Sequence, residues 1–313
     1  MKALDLFCGG GGSSLGLKNA GIEISGAVDM WDFAIETYRH NFPDTKVYSN
    51  KLENLSPNRL KNEIGNVDII VSSPECTNHT CAKGNKPRCE SSRETAFEVI
   101  RYAKVFKPRW LVLENVVHMR PWARYEEFLS NLRLLGYKLK EQILDASDFG
   151  VPQSRRRLFI TAELEHEPND IINPKRKKRT VNDILDKDGT WKTSPLYSEA
   201  RAKDTIKRAE RAFAELGKNS QFLIVYYGSD AAGGWQSLDR PLRTITTLDR
   251  FGLVQRNGKD HTLRMLQVPE LKKAMGFNKY FEMPFGTRRN KIKLLGNAVC
   301  PPVMESILKA ITV

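Results

Sequence analysis

The stretch "KALDLFCGGGG" (Lys2–Gly12) gives the first indication of the fold. Its apolar beginning reads as a buried strand, four glycines follow, and a helix is expected near Ser14–Asn19. Glycines allow a sharp turn and close approach of the backbone to a ligand, and a helix N-terminus favours an anionic group there. The stretch therefore predicts the first strand–turn–helix unit of an open sheet. A tight turn that holds no ligand stays open as an alternative.

The pattern continues through the first half of the chain, where apolar runs alternate with amphipathic stretches. The main strand-like runs are "IEISGAVD", "KVYS", "VDIIVSS", "WLVLENV", "YKLKEQILDA" and "RRLFITAEL". Helical spacing occurs in "WDFAIETYRHNF" and "RYEEFLSNLRLLG". This alternation predicts an α/β protein with a doubly wound, mostly parallel sheet that helices cover on both faces.

The composition changes near residue 165, where the sequence becomes polar and basic. A charged helix over 198–216 and short strands at "QFLIVYYG", "RPLRTITT" and "GLVQR" are expected beyond this point. We therefore expect a large domain over 1–164 and a smaller domain over 165–285. The last segment, 286–313, ends in an amphipathic helix that we expect to return to the first domain.

The charge of the chain favours a polyanionic partner. Lysine and arginine number 50 against 37 acidic residues, which gives a net charge of +13. Nucleic acid is the first partner that such a surplus suggests. A basic surface kept for solubility is the alternative.

The cysteine count and the apolar runs indicate the cellular compartment and whether the protein associates with a membrane. Five cysteines make an odd number without the paired spacing of a secreted disulfide framework. The beginning of the sequence has the pattern of neither a signal peptide nor an anchor, and no run approaches the roughly 20 apolar residues of a membrane span. We expect free thiols in a reducing cytoplasm and no membrane association.

Cys76 follows the strand "VDIIVSS" closely, and ligands of open parallel sheets bind beyond the carboxyl ends of the strands. Three interpretations stay open for it. A thiolate nucleophile would need nearby positive charge. A zinc site could combine Cys76, His79, Cys81 and Cys89, although this spacing is not that of common zinc modules. An inert thiol is the third.

Three further charged positions accompany these strands. Asp29 ends the second strand, where an acid suits ribose hydroxyls and so indicates a nucleoside-containing cofactor. Glu114 ends "WLVLENV" and could act as an acid or hydrogen-bond partner, or simply cap a helix. Arg155 and Arg157 alternate at the start of a strand, so their side chains share a face. That face needs an anionic partner unless it is a solvated edge.

Six motifs occur along the sequence in a fixed order, and together they are more specific for one protein family than any of them is alone. They are "DLFCGGGG", "SPEC", "ENV", "QSRRR", "RPLRTITT" and "GNAVCPP". In this order the chain resembles the cytosine-5 DNA methyltransferases of bacteria and phages. The likeness covers most of the sequence and is weakest between about 165 and 220.

The resemblance implies a reaction and its residues. Cys76 matches the nucleophile that attacks C6 of a flipped-out cytosine, after which C5 takes a methyl group from S-adenosyl-L-methionine. Glu114 matches the glutamate that binds the N3 edge of the base. Arg155 and Arg157 match the arginines that support the base and the cysteine loop.

The resemblance also implies residues that bind the cofactor. They are Phe7, Gly9, Gly10, Gly11, Gly12, Asp29, Met30, Asn50, Pro74, Asn297 and Val299. Two positions depart from the family pattern. Glu75 stands where proline usually precedes the cysteine, and we expect it to point away or to pair with a cation. Asn50 and Lys51 stand where an aspartate usually meets adenine, and Asn50 can still accept that hydrogen bond.

Double-stranded DNA is the partner that the resemblance implies. The expected phosphate contacts are Lys83, Lys86, Arg88 and Arg93. The basic cluster 175–179 either contacts phosphates as well or is a solvated charge run. We expect a monomer, and a restriction–modification role would add a cognate restriction endonuclease acting on the same site. An RNA cytosine-5 methyltransferase and a non-catalytic DNA-binding relative are the rival interpretations.

Overall fold

Two β-sheets organise the chain, each with its own helices. The structure is a computed structural model that describes residues 1–75, 79, 89–227 and 233–312. Within these ranges no helix has both the length and the apolar character needed to cross a bilayer.

The first sheet has seven strands in the order β3-β2-β1-β4-β5-β7-β6. The strands are β1 (Lys2–Leu6), β2 (Glu23–Asp29), β3 (Lys46–Ser49), β4 (Ile69–Ser72), β5 (Trp110–Asn115), β6 (Lys138–Asp145) and β7 (Arg156–Glu163). The first five run parallel, and β7 runs antiparallel to both β5 and β6. The mostly parallel sheet predicted from the alternating pattern is therefore confirmed.

Helices cover both faces of this sheet. Those between its strands are α1 (Gly12–Asn19), α2 (Asp32–Asn41), α3 (Pro57–Ile64), α4 (Glu90–Glu94), α5 (Ala96–Phe106) and α6 (Tyr125–Leu134). Alternate residues of β4 point into two separate apolar clusters: Ile69 and Val71 into one, Ile70 into the other. A strand buried on both faces reads as a continuous apolar run, which is why "DIIVS" was recognisable.

The second sheet has five strands in the order β10-β9-β11-β12-β8. They are β8 (Ser194–Pro195), β9 (Phe222–Val225), β10 (Trp235–Ser237), β11 (Phe251–Asn257) and β12 (Asp260–Met265), and their pairings are antiparallel. The helix α7 (Lys203–Leu216) packs on β9 and β10 through a small apolar cluster. It begins at Lys203 rather than at 198, and α8 (Val268–Ala274) follows the sheet.

The end of the chain returns to the first sheet. It forms α9 (Arg288–Asn297) and α10 (Pro301–Ile311). A methyl group placed at Gly16 of α1 would lie only 2.6 Å from Cβ of Met304 in α10, so the two helices are in close contact. The expected return of the last segment agrees with this contact, while the boundaries of the two domains stay predictions.

One predicted strand was wrong. "RPLRTITT" forms no strand and makes only an isolated bridge between Leu242 and Gln153. Pro241 has no N–H to donate, and side-chain amides take the place of a neighbouring strand. The amide N–H of Arg243 donates to Gln236 Oε1 (3.1 Å), and that of Ile245 donates to Gln153 Oε1 (2.9 Å).

Candidate active site

The parallel strands β1, β4 and β5 bring three motifs to one edge of the first sheet. Leu6 pairs with Ser72, and Ser72 pairs with Leu113, so these strands end level with each other. Two hydrogen bonds hold their extensions together: the Ser73 hydroxyl donates to the Phe7 carbonyl (3.1 Å), and the Asn115 side-chain amide donates to the Pro74 carbonyl (3.2 Å). We call this the carboxyl edge.

The glycine turn at this edge has an unusual backbone. Phe7, Gly9 and Gly11 have φ angles of 58°, 52° and 102°. A left-handed Phe7 costs about 1 kcal/mol or more and persists only where its surroundings impose it. Such residues concentrate at ligand sites, which favours a binding role for the turn.

The glycines differ in what surrounds them. A Cβ on Gly12 would lie 2.3 Å from the carbonyl oxygen of Val299, and one on Gly10 would lie 2.7 Å from the side chain of Leu294. Nothing lies within 4 Å of a Cβ on Gly9. The returning C-terminal segment therefore requires two of the glycines, and Gly9 is the one that leaves space for a ligand.

Asp29 holds the neighbouring part of the edge through backbone amides. Its Oδ2 accepts from Gly9 N–H and its Oδ1 from Trp31 N–H, both at 2.8 Å. Burial raises the pKa of this carboxyl, while the amide hydrogen bonds oppose the rise. The Asn50 N–H donates to the Asp29 carbonyl (2.9 Å), and Met30 leaves 59% of its surface exposed beside it. Three of the expected cofactor residues, Asp29, Met30 and Asn50, are thus adjacent.

A buried polar cluster that the sequence did not indicate lies beneath the glycine turn. Oδ2 of Asp5 accepts hydrogen bonds from the hydroxyls of Ser13 and Ser14, both at 2.6 Å, and the Ser14 hydroxyl lies 2.6 Å from the Tyr38 hydroxyl. Asp5 is fully buried, and burial raises its pKa to about 7. This cluster fixes the first turn of α1 against β1.

The second part of the carboxyl edge is a buried ion pair. Glu114 at the end of β5 has Oε1 at 3.0 Å from Nε of Arg157, and both side chains are mostly buried. Burial raises the pKa of Glu114, although the charges of Arg157 and Arg155 oppose the rise. The predicted sharing of one face by the two arginines agrees with a small cavity that both line. That cavity is bounded by Glu114, Leu144, Ala146, Arg155, Arg157, Phe159, Val299, Cys300 and Val303.

Arg155 links this cavity to two distant parts of the chain. Its guanidinium donates to the carbonyls of Ile245 (3.1 Å), Gly296 (2.9 Å) and Ala298 (3.2 Å). The side chain is 3% exposed. Arg155 therefore connects the start of β7 to the segment after Pro241 and to the C-terminal segment. Arg157 is the arginine that forms the ion pair with Glu114.

The "GNAVCPP" motif contributes its backbone and a thiol. Val299 is buried with its carbonyl against Gly12, whereas the side chain of Asn297 is exposed. Cys300 lines the cavity of Glu114, and burial raises the pKa of its thiol to about 11. The sequence did not single out Cys300, because a lone cysteine beside two prolines has no spacing to interpret.

The expected nucleophile, Cys76, lies outside the described residues, as do Lys83, Lys86 and Arg88. The described residues on either side of it are fixed. Pro74 is held by Asn115, and His79 is 2% exposed with its ring centroid 5.2 Å from that of Trp122. In the sequence Cys76 comes four residues after Ser72, the last residue of β4.

Other expected residues of this segment have partners of their own. Nη1 of Arg93 lies 3.3 Å from Oε2 of Glu90, so this arginine is engaged within α4. Cys89 is exposed, with Sγ 3.0 Å from the Ser91 hydroxyl. Glu75 is half-buried and forms no ion pair with a described residue. His79 and Cys89, the two described members of the zinc alternative, thus have different surroundings, and Cys81 lies outside the described residues.

Solved structures share this architecture. A Spodoptera frugiperda DNMT2 mutant superposes with a TM-score of 0.73 at 21% identity, covering 100% of this chain and 99% of that one. A putative DNA modification methyltransferase from an Escherichia coli prophage gives a TM-score of 0.71 at 20% identity, covering 99% and 98%. The fold is therefore the α/β class found in methyltransferases, as the sequence predicted.

The sequence itself gives the family. The profile of the family described as C-5 cytosine-specific DNA methylase matches residues 1–313, and the chain belongs to this family. Type II methyltransferase M.HgiDI of Herpetosiphon aurantiacus is 30% identical over 253 residues, covering 78% of this chain and 80% of the relative.

Other curated relatives match over less of their length. M.HindV of Haemophilus influenzae is 33% identical over 190 residues, which are 59% of this chain and 62% of the relative. M.DdeI of Desulfomicrobium norvegicum is 34% identical over 189 residues, which are 56% of this chain and 44% of the relative. The match thus spans less than two thirds of these two relatives.

Proposed function

We propose that the chain is a DNA (cytosine-5)-methyltransferase that transfers a methyl group from S-adenosyl-L-methionine to C5 of a flipped-out cytosine in a specific duplex sequence. The buried Glu114–Arg157 pair carries this proposal. It stands at the end of β5, level with the end of β4, which Cys76 follows closely in sequence. An acid and a cation at this edge, with a thiol closely following β4 in the sequence, suit attack on an electron-poor ring.

Cys76 and Glu114 divide the chemistry between them. The Cys76 thiolate forms a bond to C6 of cytosine, and the electron pair of the C5–C6 double bond moves to C5. Burial raises the pKa of Glu114, so its carboxyl can take up a proton and donate a hydrogen bond to N3, which stabilises the charge that develops on the ring. After C5 has accepted the methyl group, loss of the C5 proton and cleavage of the sulfur–C6 bond restore the aromatic ring.

The two arginines have different roles. Arg157 contacts Glu114 and fixes the direction of its carboxyl group. Arg155 donates to three backbone carbonyls and positions the walls of the cavity. We therefore assign Arg157 to the reaction itself and Arg155 to positioning.

The cofactor fits the other part of the edge. Gly9 leaves space, Asp29 supplies a carboxylate for ribose hydroxyls, and Phe7 and Met30 supply apolar surface for adenine. The buried Val299 closes the turn from behind. When bound there, S-adenosyl-L-methionine supplies the electrophilic methyl group.

The partner, the compartment and the oligomeric state that we propose follow from the composition of the chain and from its family. Double-stranded DNA is the partner, since the chain carries a net charge of +13. The described cysteines Cys8, Cys89 and Cys300 form no disulfide, which fits a reducing cytoplasm. We also propose that the protein is a monomer, and a restriction–modification system with a cognate endonuclease fits the similarity to Type II enzymes.

The function is tested by methyl transfer to nucleic acid. The purified chain is given radiolabelled S-adenosylmethionine with either duplex DNA or a tRNA pool, and DNA from expressing cells is sequenced after bisulfite treatment. Methylation of duplex DNA at one recurring sequence supports the proposal. Transfer to tRNA alone would assign the enzyme to RNA, and absence of transfer to both would favour a non-catalytic relative.

The covalent step is tested on DNA that contains 5-fluorocytosine, which traps the adduct. Trapping requires Cys76 and the cofactor, so Cys76→Ser abolishes it. Cys89→Ser is the matched control, because Cys89 is a described and exposed cysteine of the same stretch. If both substitutions removed zinc found by elemental analysis, the metal alternative would replace the nucleophile.

A further inference from the structure

A strongly basic surface segment lies outside the site described above. Residues 172–179, "INPKRKKR", include five consecutive cations, Lys175 to Arg179, all of them exposed. We call these eight residues the basic segment. The proposed reaction assigns no role to any of them.

Both ends of the basic segment are fixed. Before it, the buried Ile171 exchanges two hydrogen bonds with the side chain of Gln142 on β6, at 2.8 and 3.4 Å. After it, Thr180 and Asp183 form a capping box, and the Val181 N–H donates to the Arg240 carbonyl (2.9 Å). The cations are therefore held on a defined part of the surface.

That part of the surface is the carboxyl edge of the first sheet. Nζ of Lys178 lies 3.3 Å from Oδ1 of Asp148, and Cδ of Arg176 would lie 3.3 Å from a Cβ on Gly150. Asp148 belongs to the 3₁₀ turn Ala146–Phe149, which directly follows β6. Since β6 and β5 both run antiparallel to β7, β6 ends at the same edge as Glu114. Ala146 of this turn lines the cavity of Glu114.

Most of these charges are not neutralised by the residues that the structure describes. Lys178 has Asp148 as an ion-pair partner, whereas within the described part of the chain no carboxylate pairs with Lys175, Arg176, Lys177 or Arg179. Exposed cations of one sign raise the local concentration of polyanions and release counterions when they bind phosphates.

We propose that the basic segment binds the phosphate backbone of the duplex that flanks the target cytosine. The proposal rests on the proposed function. Lys178 pairs with Asp148 of the turn Ala146–Phe149, and Ala146 of that turn lines the cavity of Glu114. Such contacts add affinity without reading sequence, and they offset the few kcal/mol that flipping a base requires.

The test neutralises three cations that form no ion pair with a described residue. The variant is Lys175→Asn, Lys177→Gln and Arg179→Gln; asparagine is chosen for position 175 because φ there is 52°. It keeps Arg176 and Lys178, which contact the turn after β6. Equilibrium binding to duplex DNA is measured over a range of salt concentrations, together with the steady-state constants for methylation.

A matched control removes the same charge from the opposite edge of the sheet. Lys104→Gln, Lys107→Asn and Arg133→Gln lie where α5 and α6 end, before β5 and β6 begin, and Lys107 also has a positive φ of 48°. Both variants lose three positive charges, so a general effect of net charge would affect them equally.

We expect the slope of log K against log salt to decrease by roughly 0.9 for each phosphate group that is deprived of its cation, up to about 2.7 in the triple variant. At low salt this corresponds to a loss of affinity of about tenfold or more, seen in the KM for DNA rather than in kcat. Equal slopes for the variant and the control would overturn the proposal and leave the methyltransferase function intact. A change of slope on tRNA but not on duplex DNA would also overturn it. A wild-type protein that binds duplex through this segment without methylating it would instead refute the proposed function.

Discussion

The carboxyl edge has two halves that the protein builds in different ways. On the half formed by β1 and β2, backbone amides of Gly9 and Trp31 hold the carboxylate of Asp29. On the half formed by β5 and β7, a second charged side chain, Arg157, holds the carboxylate of Glu114. The backbone amides around Asp29 fix the shape of the first half, whereas the ion pair of Glu114 and Arg157 fixes a charged group in the second half. The first half should therefore be sensitive to added bulk, and the second to lost charge.

The largest effect is expected from removing the acid of the second half. Glu114→Gln keeps the size of the side chain but removes the ionisable proton and the attraction to Arg157. We expect kcat to fall roughly 10²- to 10³-fold, because stabilisation of developing charge is usually worth that much. The dissociation constant for the cofactor, measured by calorimetry, should stay within about twofold.

Asp29→Asn is the matching change on the first half. An asparagine offers one acceptor oxygen for two backbone amides, so one amide loses its partner. We expect about tenfold weaker cofactor binding, since an unmet amide costs about 1–3 kcal/mol, and a smaller change in kcat. A reversal, with Glu114→Gln affecting the cofactor and Asp29→Asn affecting turnover, would contradict the division of the edge.

The first half also predicts a pH dependence of stability, through Asp5. Its pKa in the folded protein is about 7 against an ordinary 3.8, because the group is buried. Between these values the folded protein binds the proton more tightly than the unfolded chain, so the free energy of unfolding falls as pH rises from about 4 to about 7 and then levels off. From pH 5 to pH 8 the loss is roughly 2–3 kcal/mol.

Asp5→Asn isolates this contribution. The asparagine oxygen can still accept from Ser13 and Ser14, but it does not titrate. Chemical denaturation at pH 5 and pH 8 should show a smaller difference between the two pH values for the variant than for the wild type. Asp29, whose own pKa is raised by burial, is present in both proteins. Equal pH dependences would mean that Asp5 does not bind its proton as proposed.

Substitutions at two glycines distinguish an effect on stability from an effect on ligand binding within the first half. Gly12→Ala places a Cβ 2.3 Å from the Val299 carbonyl, so we expect a loss of about 1–3 kcal/mol of stability. Gly9→Ala meets no atom within 4 Å, although its φ of 52° adds about 1 kcal/mol of backbone strain. We expect Gly9→Ala to weaken cofactor binding more than it lowers the melting temperature, and Gly12→Ala to do the reverse. The same ratio of effects for both would show that Gly9 does not face the ligand.

The sequence predicted the parts of this edge that depend on local pattern. The apolar runs of β1, β4 and β5 and the glycines between β1 and α1 placed the glycine turn and Glu114 at strand ends, where the structure has them. The helix α3 was overlooked although Ser56 and Pro57 are a recognisable start, and the Ser56 hydroxyl does accept from the Arg59 N–H.

The parts that depend on distant residues could not be predicted in this way. Arg155 bonds carbonyls 90 and 141 residues away, and nothing near it in the sequence indicates those partners. The apparent strand "RPLRTITT" failed for the same reason, because Gln153 and Gln236 supply its acceptors through their side chains. His79 could only be weighed as a zinc ligand, since Trp122 lies far along the chain.

A contact between His79 and Trp122 lies three residues beyond Cys76 in the sequence. The ring of His79 meets Trp122 at 5.2 Å, and Trp122 Nε1 donates to Glu90 Oε1 at 2.6 Å. Trp122→Leu removes the aromatic partner of His79, so the thiol should be less well placed and kcat should fall about tenfold, because small misplacements of a reacting group are costly. Trp122→Phe, which keeps a ring, should recover most of the trapping rate on 5-fluorocytosine DNA. Trp191→Leu is the control: Trp191 donates to Asp186 at 2.8 Å in a segment that follows the basic segment. If it slowed trapping as much as Trp122→Leu did, the effect would be one of general stability. If neither variant slowed it, the position of Cys76 would depend on Pro74 and the β4 end alone, and the charged half of the edge would need no aromatic support.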